Sequence, residues 1–446
     1  MNKALNKEIL RLSIPSILAN ITVPLVGMVD TAVAGHLAGE SAVFIGAISV
    51  GSMFFSLIYW GFGFLRTGTG GLTAQAFGRE DMHASACIFA RGISLAFIIA
   101  LALLLLQWPF AFLAKLATDA SEEVETLALR YFYIRIWAAP ATLSLMTFRG
   151  WFVGMQDSFN SMWTDLVINV VNIVLSIGLA FGAGMGFDGI VLATVIAQYS
   201  GFAYCVAVCR FKYGKQVFSL VRKEDLAQMF HGEQMIKFFK MNANLFGRSF
   251  FFITIYIGYT MIAATFGDLM LACSSIMMQL LMLFSYVTDG FAYAGEALTG
   301  RFIGANDGVQ LRQSVRYVFV WSMAIAVLFI GIYLTIGVPI LHVMTSDESV
   351  VTACRAFLLW LVLMPPLGCA AFTWDGIFFG ATASRALMWT MAGASLSFFG
   401  IWFAVNAISH PQGQYAMHTL LAAYFAHLAF RTIYLSARYR KDVLKI

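Results

Sequence analysis

Charge is what this chain has least of. Asp, Glu, Lys and Arg make up 11% of its 446 residues, whereas 60% are hydrophobic. A soluble globular domain carries roughly 25% charged residues, so no water-facing surface can be assembled from this composition. Lipid is the solvent that fits, and the bilayer is the first partner implied. Segments of about 10 residues with alternating polarity are missing as well, which excludes a membrane β-barrel. Cysteine is sparse: Cys87, Cys205, Cys209, Cys273, Cys354 and Cys369 all lie in or beside apolar runs. Cys205 and Cys209 share a helix face without a nearby His or carboxylate, so packing thiols are expected rather than a metal site. The seven histidines are scattered, and no Ser/His/Asp or HExxH grouping points to an enzyme. Gly68-Thr69-Gly70-Gly71 lacks the GK[ST] ending of a phosphate loop. The net charge of +5 is not gathered with aromatics on one face, which argues against a nucleic-acid partner.

What the chain does have is length without charge. Residues 93–112 and 318–341 are uncharged apolar runs, and about 20 such residues span the hydrocarbon core as a helix. Helices satisfy their own backbone hydrogen bonds, which lipid cannot do for them. Turn signals divide the sequence into twelve spans near 10–35, 44–77, 88–114, 125–154, 160–183, 188–212, 234–264, 270–303, 314–342, 350–380, 385–407 and 414–437. The expected fold is therefore an all-α integral membrane protein. Lys3, Lys7 and Arg11 precede the first span with no small-residue cleavage site between Ser13 and Gly35, so that span reads as a retained helix.

Placing the N-terminus inside collects Lys3, Lys7, Arg79, Arg91, Lys212, Lys215, Arg222, Lys223, Arg301, Arg312, Arg385, Arg438, Arg440, Lys441 and Lys445 on that side. Lys115, Asp119, Glu122, Glu123, Asp347 and Glu348 then lie outside, with Arg130 and Arg355 near the edges of those loops. Such a bias predicts a multi-pass plasma-membrane protein with both termini cytoplasmic, the inner membrane in a Gram-negative cell.

The two halves repeat. An offset of 226 residues aligns Leu72-Thr73 with Leu298-Thr299, Gly78 with Gly304, Asp81 with Asp307 and Glu122 with Glu348. The same offset aligns Pro140 with Pro366, Gly150 with Gly376 and Gly154 with Gly380. The predicted organisation is a six-helix lobe over 1–212, a cytoplasmic linker over 213–233 and a second six-helix lobe over 234–446. Six spans per half give both halves the same orientation, so their pseudo-twofold axis lies along the membrane normal, as in two-bundle transporters.

Ionisable residues inside a span are costly and mark function by default. Asp30 sits in span one. Asp165, Asn169, Asn172 and Ser176 in span five are spaced four, three and four apart, which puts them on one helix face. With Thr194 of span six they form a candidate ion-coupling and substrate site. Low dielectric disfavours the charged form, so Asp30 is placed to load a proton on one side and release it on the other. Asp30, together with the amide and hydroxyl oxygens at its depth, also offers a place for a sodium ion. Asn169 and Asn172 equally suit plain bonding between helices. A second cluster comprises Asp289 and Glu296, seven apart in span eight, with Asp375 in span ten and Arg248 as counter-ion; it reads either as an ion or substrate site or as a structural charge network. Pro15 and Pro24 interrupt span one upstream of Asp30 and are candidate hinges, or fixed kinks.

The runs ANITVPLVGMVDTAVAGHLAG and GLTAQAFGRED resemble the multidrug and toxic compound extrusion (MATE) transporters, in particular the DinF-like branch. NVVNIVLSIG, GIVLATVIAQY, DGFAYAGEALTGRFIGA and DGIFFGAT extend the likeness over nearly the whole chain. The resemblance implies a V-shaped, twelve-helix exporter of amphipathic drugs or toxins with a monomer as the working unit. It is driven by entry of a proton or sodium ion and needs no other cofactor. It maps the family's first-lobe ion site onto Asp30, Asn172 and Thr194, and its second-lobe acids onto Asp289, Glu296 and Asp375. The family's span-five carboxylate falls at Ser176 here. Losing that charge weakens a sodium site more than a protonation site, which favours proton coupling. The competing expectation is a lipid-linked precursor flippase of the same superfamily, kept open by Arg66, Arg135, Arg149 and Arg248.

Overall fold

Asp81 and Asp307 show how the apolar runs become helices. Each carboxylate caps a helix start, accepting from the backbone N–H of Ala84 at 2.9 Å in one case and of Val309 and Gln310 at 3.1 and 2.9 Å in the other. Such caps satisfy donors that a helix start leaves unpaired. The helices therefore begin at Met82 and Gly308, six residues before the apolar pattern predicts. Their first turns are polar and read as loop by hydropathy.

The computed structural model describes residues 3–37, 41–116, 121–215, 217–220 and 232–444. Asp119, Arg222, Lys223 and Lys445, used above for orientation, lie outside these, as does much of the 213–233 connection. The α-helices are α1 (Lys3–Gly35), α2 (Ser41–Gly61), α3 (Phe64–Gly78), α4 (Met82–Leu105), α5 (Gln107–Leu116), α6 (Glu122–Arg135), α7 (Ala139–Gly154), α8 (Ser158–Ile177) and α9 (Gly186–Val208). They continue as α10 (Glu233–Ala264), α11 (Asp268–Gly304), α12 (Gly308–Met344), α13 (Glu348–Arg355), α14 (Leu358–Gly380), α15 (Ser384–Ser409) and α16 (Gly413–Asp442).

Among the described residues, 11 helical segments are long and apolar enough to cross a membrane. The twelfth expected span, 125–154, is helical too. A 3-10 turn at Ile136–Ala138 divides it into α6 and α7, each shorter than a bilayer crossing. Spans two, three and ten are likewise each built from two consecutive helices.

The chain divides into two compact units, one comprising Met1–Ile17 and Phe238–Ile446, the other Leu18–Lys237. The helix α1 is thus shared, its beginning packing with the second half of the sequence. Glu8 pairs with Arg301, and the Asn6 carboxamide accepts from the Trp321 indole at 2.9 Å. In the other unit α8 packs along α9 and α3 along α7, around a core containing Leu145, Trp151, Phe152 and Cys205. In the first, α11 packs along α14 and α15 along α16, around Phe284, Phe357, Phe398 and Leu428. All six cysteines are buried free thiols. Asp157, at the turn before α8, is held below the usual carboxylate range. Burial alone would raise it, but hydrogen bonds from Lys212, Tyr213 and Asn160 outweigh that cost.

The 226-residue repeat recurs atom by atom at the helix crossings. A Cβ on Gly150 would lie 2.1 Å from the Arg66 carbonyl oxygen, and a Cβ on Gly376 2.0 Å from that of Ala292. Arg66 and Ala292 are themselves 226 apart. Gly154 faces Gly70 and Thr73, and Gly380 faces Glu296 and Thr299, again at the same offset. The left-handed residues Glu80 and Asn306, and Gln156 and Thr382, keep it too. Both crossings depend on backbones approaching where only hydrogen fits. Gly150→Ala and Gly376→Ala should each destabilise the protein near the upper end of the roughly 1–3 kcal/mol typical of overpacking. Thermal unfolding of detergent-purified protein checks this. Gly331→Ala, where a Cβ meets nothing within 4 Å, should be neutral or slightly stabilising.

Candidate functional site

The polar stripe on α8 reaches four separate partners. Asp165, nearest its start, pairs with Arg149 of α7. One turn on, the Asn169 amide donates to Thr22 Oγ1 of α1 at 2.7 Å. The Asn172 amide donates to Thr194 Oγ1 of α9 at 3.1 Å, and Thr194 in turn donates to the Ile190 carbonyl. Ser176 Oγ donates to Asp30 Oδ1 of α1 at 2.9 Å. Thr22 and Asp30 are eight residues apart on α1, and Asn169 and Ser176 are seven apart on α8. The two helices therefore meet twice, two turns apart, through side chains.

Asp30, Asn172, Ser176 and Thr194 are all buried, Asp30 at 6% exposure. The expected first-lobe residues are thus brought together in one unit, with Asn169 two turns away along the stripe. Asn172 Oδ1 is buried with no hydrogen-bond partner among the described residues, an acceptor left without a donor. Pro15 and Pro24 both lie within α1, and Pro15 is two residues before its division between the units.

Arg135 is the residue the sequence reading underrated here. It ends α6, donates to the Tyr131 hydroxyl and lies over the Phe55 and Tyr131 rings at 5.3 and 5.4 Å. Tyr131 shares a further hydrogen bond with Ser52 at 3.1 Å. The Arg135 charge acts on Asp30 without a direct ion pair. Its place beside Asp30 follows from the break at Ile136–Ala138, for which the apolar pattern gives no sign.

The second cluster is organised by arginine. Asp375 of α14 pairs with Arg248 of α10, as anticipated, and also accepts from Arg431 of α16 at 2.6 Å. Arg431 is 2% exposed, and its guanidinium lies over Phe372 at 5.3 Å. Glu296 is fully buried and Asp289 half-buried on the same face of α11. Arg431 stands in the middle of the uncharged run LLAAYFAHLAF–TIYL, so its intramembrane charge was a readable signal.

The repeated helix crossings fall within the reach of a single family description. The MatE family model matches residues 15–177 and 245–405. The chain belongs to the MatE family. The two matched stretches of this MatE chain start 230 residues apart, close to the spacing of the repeat. It is 33% identical over 438 residues to DNA damage-inducible protein F of Escherichia coli (strain K12), covering 98% of this chain and 92% of that one. Similarity extends to a probable multidrug resistance protein NorM of Caulobacter vibrioides, 25% identical over 332 residues, covering 72% and 68% of the two chains. The fold of the MatE chain is similar to that of a MOP superfamily transporter from Pyrococcus furiosus, with a TM-score of 0.84. That match covers 97% of this chain and 96% of the other at 16% identity.

Proposed function

We propose that this multi-pass membrane protein exports amphipathic small molecules by alternating access, driven by proton entry through Asp30. The observation that carries the reading is the contrast among the buried carboxylates. Asp165 and Asp375 are committed to arginines, whereas Asp30 accepts from a serine hydroxyl. A carboxylate bonded to a hydroxyl can exchange its charge for a proton without stranding a paired cation. The helix carrying Asp30 is tied to α8 by two side-chain hydrogen bonds, so a change of charge at Asp30 bears directly on one of these ties. Pro15 and Pro24 are the proposed bending points of that helix.

Export is the direction supported by the resistance protein NorM among the relatives, and cytoplasmic termini are supported by the charge bias. The intramembrane carboxylates suit cationic or neutral cargo. The flippase alternative loses weight because Arg149, one of the arginines that would line a cationic cavity, is paired with Asp165, and Arg248 shares Asp375 with Arg431. The unsatisfied Asn172 oxygen beside Asp30 favours a second reading, in which sodium is the coupling ion.

Purified protein in liposomes, supplied separately with a proton gradient and a sodium gradient, tests both. Dye transport driven by protons alone is the expected result. A strict sodium requirement would replace the proposed ion, and no transport under either gradient would sink coupled antiport altogether.

A further inference from the structure

Three arginines meet at one end of the Phe238–Ile446 unit without a carboxylate among them. Arg312 and Arg316 stand one turn apart near the start of α12, and Arg440 lies in the last turn of α16. With Val315, Tyr439 and Leu444 they line a cleft of about 610 Å³. Nearby in the same unit, Arg438 is matched by Asp442 at 2.7 Å, and Arg301 by Glu8. Among the described residues, Arg312, Arg316 and Arg440 have neither an ion pair nor a hydrogen bond from their side chains. Two like charges one turn apart repel. They also sit near the N-terminal, positive end of α12, where the Asp307 carboxylate is taken up by the backbone N–H groups of Val309 and Gln310 rather than by an arginine. The arrangement concentrates positive potential at the cleft.

The surface that leads away from the cleft is apolar. From Arg316 the same exposed face of α12 continues through Val320, Met323 and Val327, which are 47%, 38% and 62% exposed. Ile433, two turns back from Arg440 on α16, is 69% exposed. Tyr439 meets Trp374 at 5.0 Å, which in turn meets Phe319 at 4.7 Å, so aromatic rings adjoin the arginines of the cleft. A cationic mouth above two apolar tracks matches a molecule with an anionic head and hydrocarbon tails.

We propose that this cleft is a binding site for the phosphodiester headgroup of an anionic phospholipid, its acyl chains lying along α12 and α16. Basic pockets at helix ends on the cytoplasmic side are suited to such headgroups, and the charge bias puts this end there. The site is separate from the polar residues around Asp30 and belongs to the other unit.

Native mass spectrometry of the full chain, released from mixed micelles of phosphatidylglycerol and phosphatidylcholine, reads the preference directly. Wild type should retain phosphatidylglycerol selectively, and R312Q/R316Q should lose most of that selectivity, at roughly fivefold per arginine. Thermal melting in the presence of phosphatidylglycerol should rise for wild type and stay flat for the variant. Equal melting of the two proteins in phosphatidylcholine alone would establish that the variant folds. Equal retention of both lipids by wild type, or unchanged selectivity in the folded variant, overturns the site. Displacement of the lipid by inorganic phosphate at matching concentration would make it a soluble-anion site and overturn the lipid assignment.

Discussion

Asp30→Asn should reduce gradient-driven export to the background of empty liposomes while leaving the protein folded. The substitution keeps the shape of the side chain, and the asparagine oxygen can still accept from Ser176 Oγ, the bond that now measures 2.9 Å. What it removes is the ability to alternate between a charged and a neutral form. A carrier whose site is permanently neutral retains no step at which an inward proton gradient can bias the cycle. Ser176→Ala separates the two properties: the carboxylate remains and one hydrogen bond is lost, a change of about 1 kcal/mol. Coupled transport should therefore weaken in Ser176→Ala and vanish in Asp30→Asn. Uphill transport by Asp30→Asn at wild-type rate would eliminate Asp30 as the proton carrier.

Asp375→Asn should have the largest effect on stability. The carboxylate holds Arg248 and Arg431 together from two other helices, and removing its charge leaves two partly or wholly buried guanidinium groups facing a neutral amide. Breaking a buried pair from one side typically costs about 3–5 kcal/mol. Arg431, at 2% exposure, cannot reach water to recover its solvation. Three helices, α10, α14 and α16, lose their common tie. The expected result is a large fall in melting temperature and in the yield of monodisperse protein. Arg431→Met with Asp375→Asn should recover part of the loss, because the most deeply buried charge is then gone as well. A single Asp375→Asn variant as stable as wild type would mean that the cluster contributes nothing to the fold.

The contrast between these two aspartates explains what could be read from the chain and what could not. Apolar run length is a direct consequence of bilayer thickness, so the helical membrane fold followed from counting. The repeat was legible because glycine at a close crossing has no substitute, and Gly150, Gly154, Gly376 and Gly380 held the register. The stripe of Asn169, Asn172 and Ser176 was visible because helical spacing alone puts them on one face. The helix breaks at Ile136–Ala138 and near Phe62 and Leu106 were not visible. They are set by tertiary packing within continuous apolar sequence, where hydropathy does not change. Arg135 beside Asp30 and Arg431 on Asp375 depend on which helices become neighbours, and a single sequence does not encode that in its spacing.

Sharing α1 between the two units also imposes an order on synthesis. Glu8 is among the first residues to leave the ribosome, yet its partner Arg301 is 293 positions behind it. A similar but shorter delay separates Ser13 from the close approach of Gly290. At 5–20 residues per second, the beginning of this helix waits roughly 15–60 s in the membrane with its packing face uncovered, while its end can dock on α8 as soon as Ser176 has emerged. The first helix is thus among the earliest parts of the chain to be made and among the last to be fully packed.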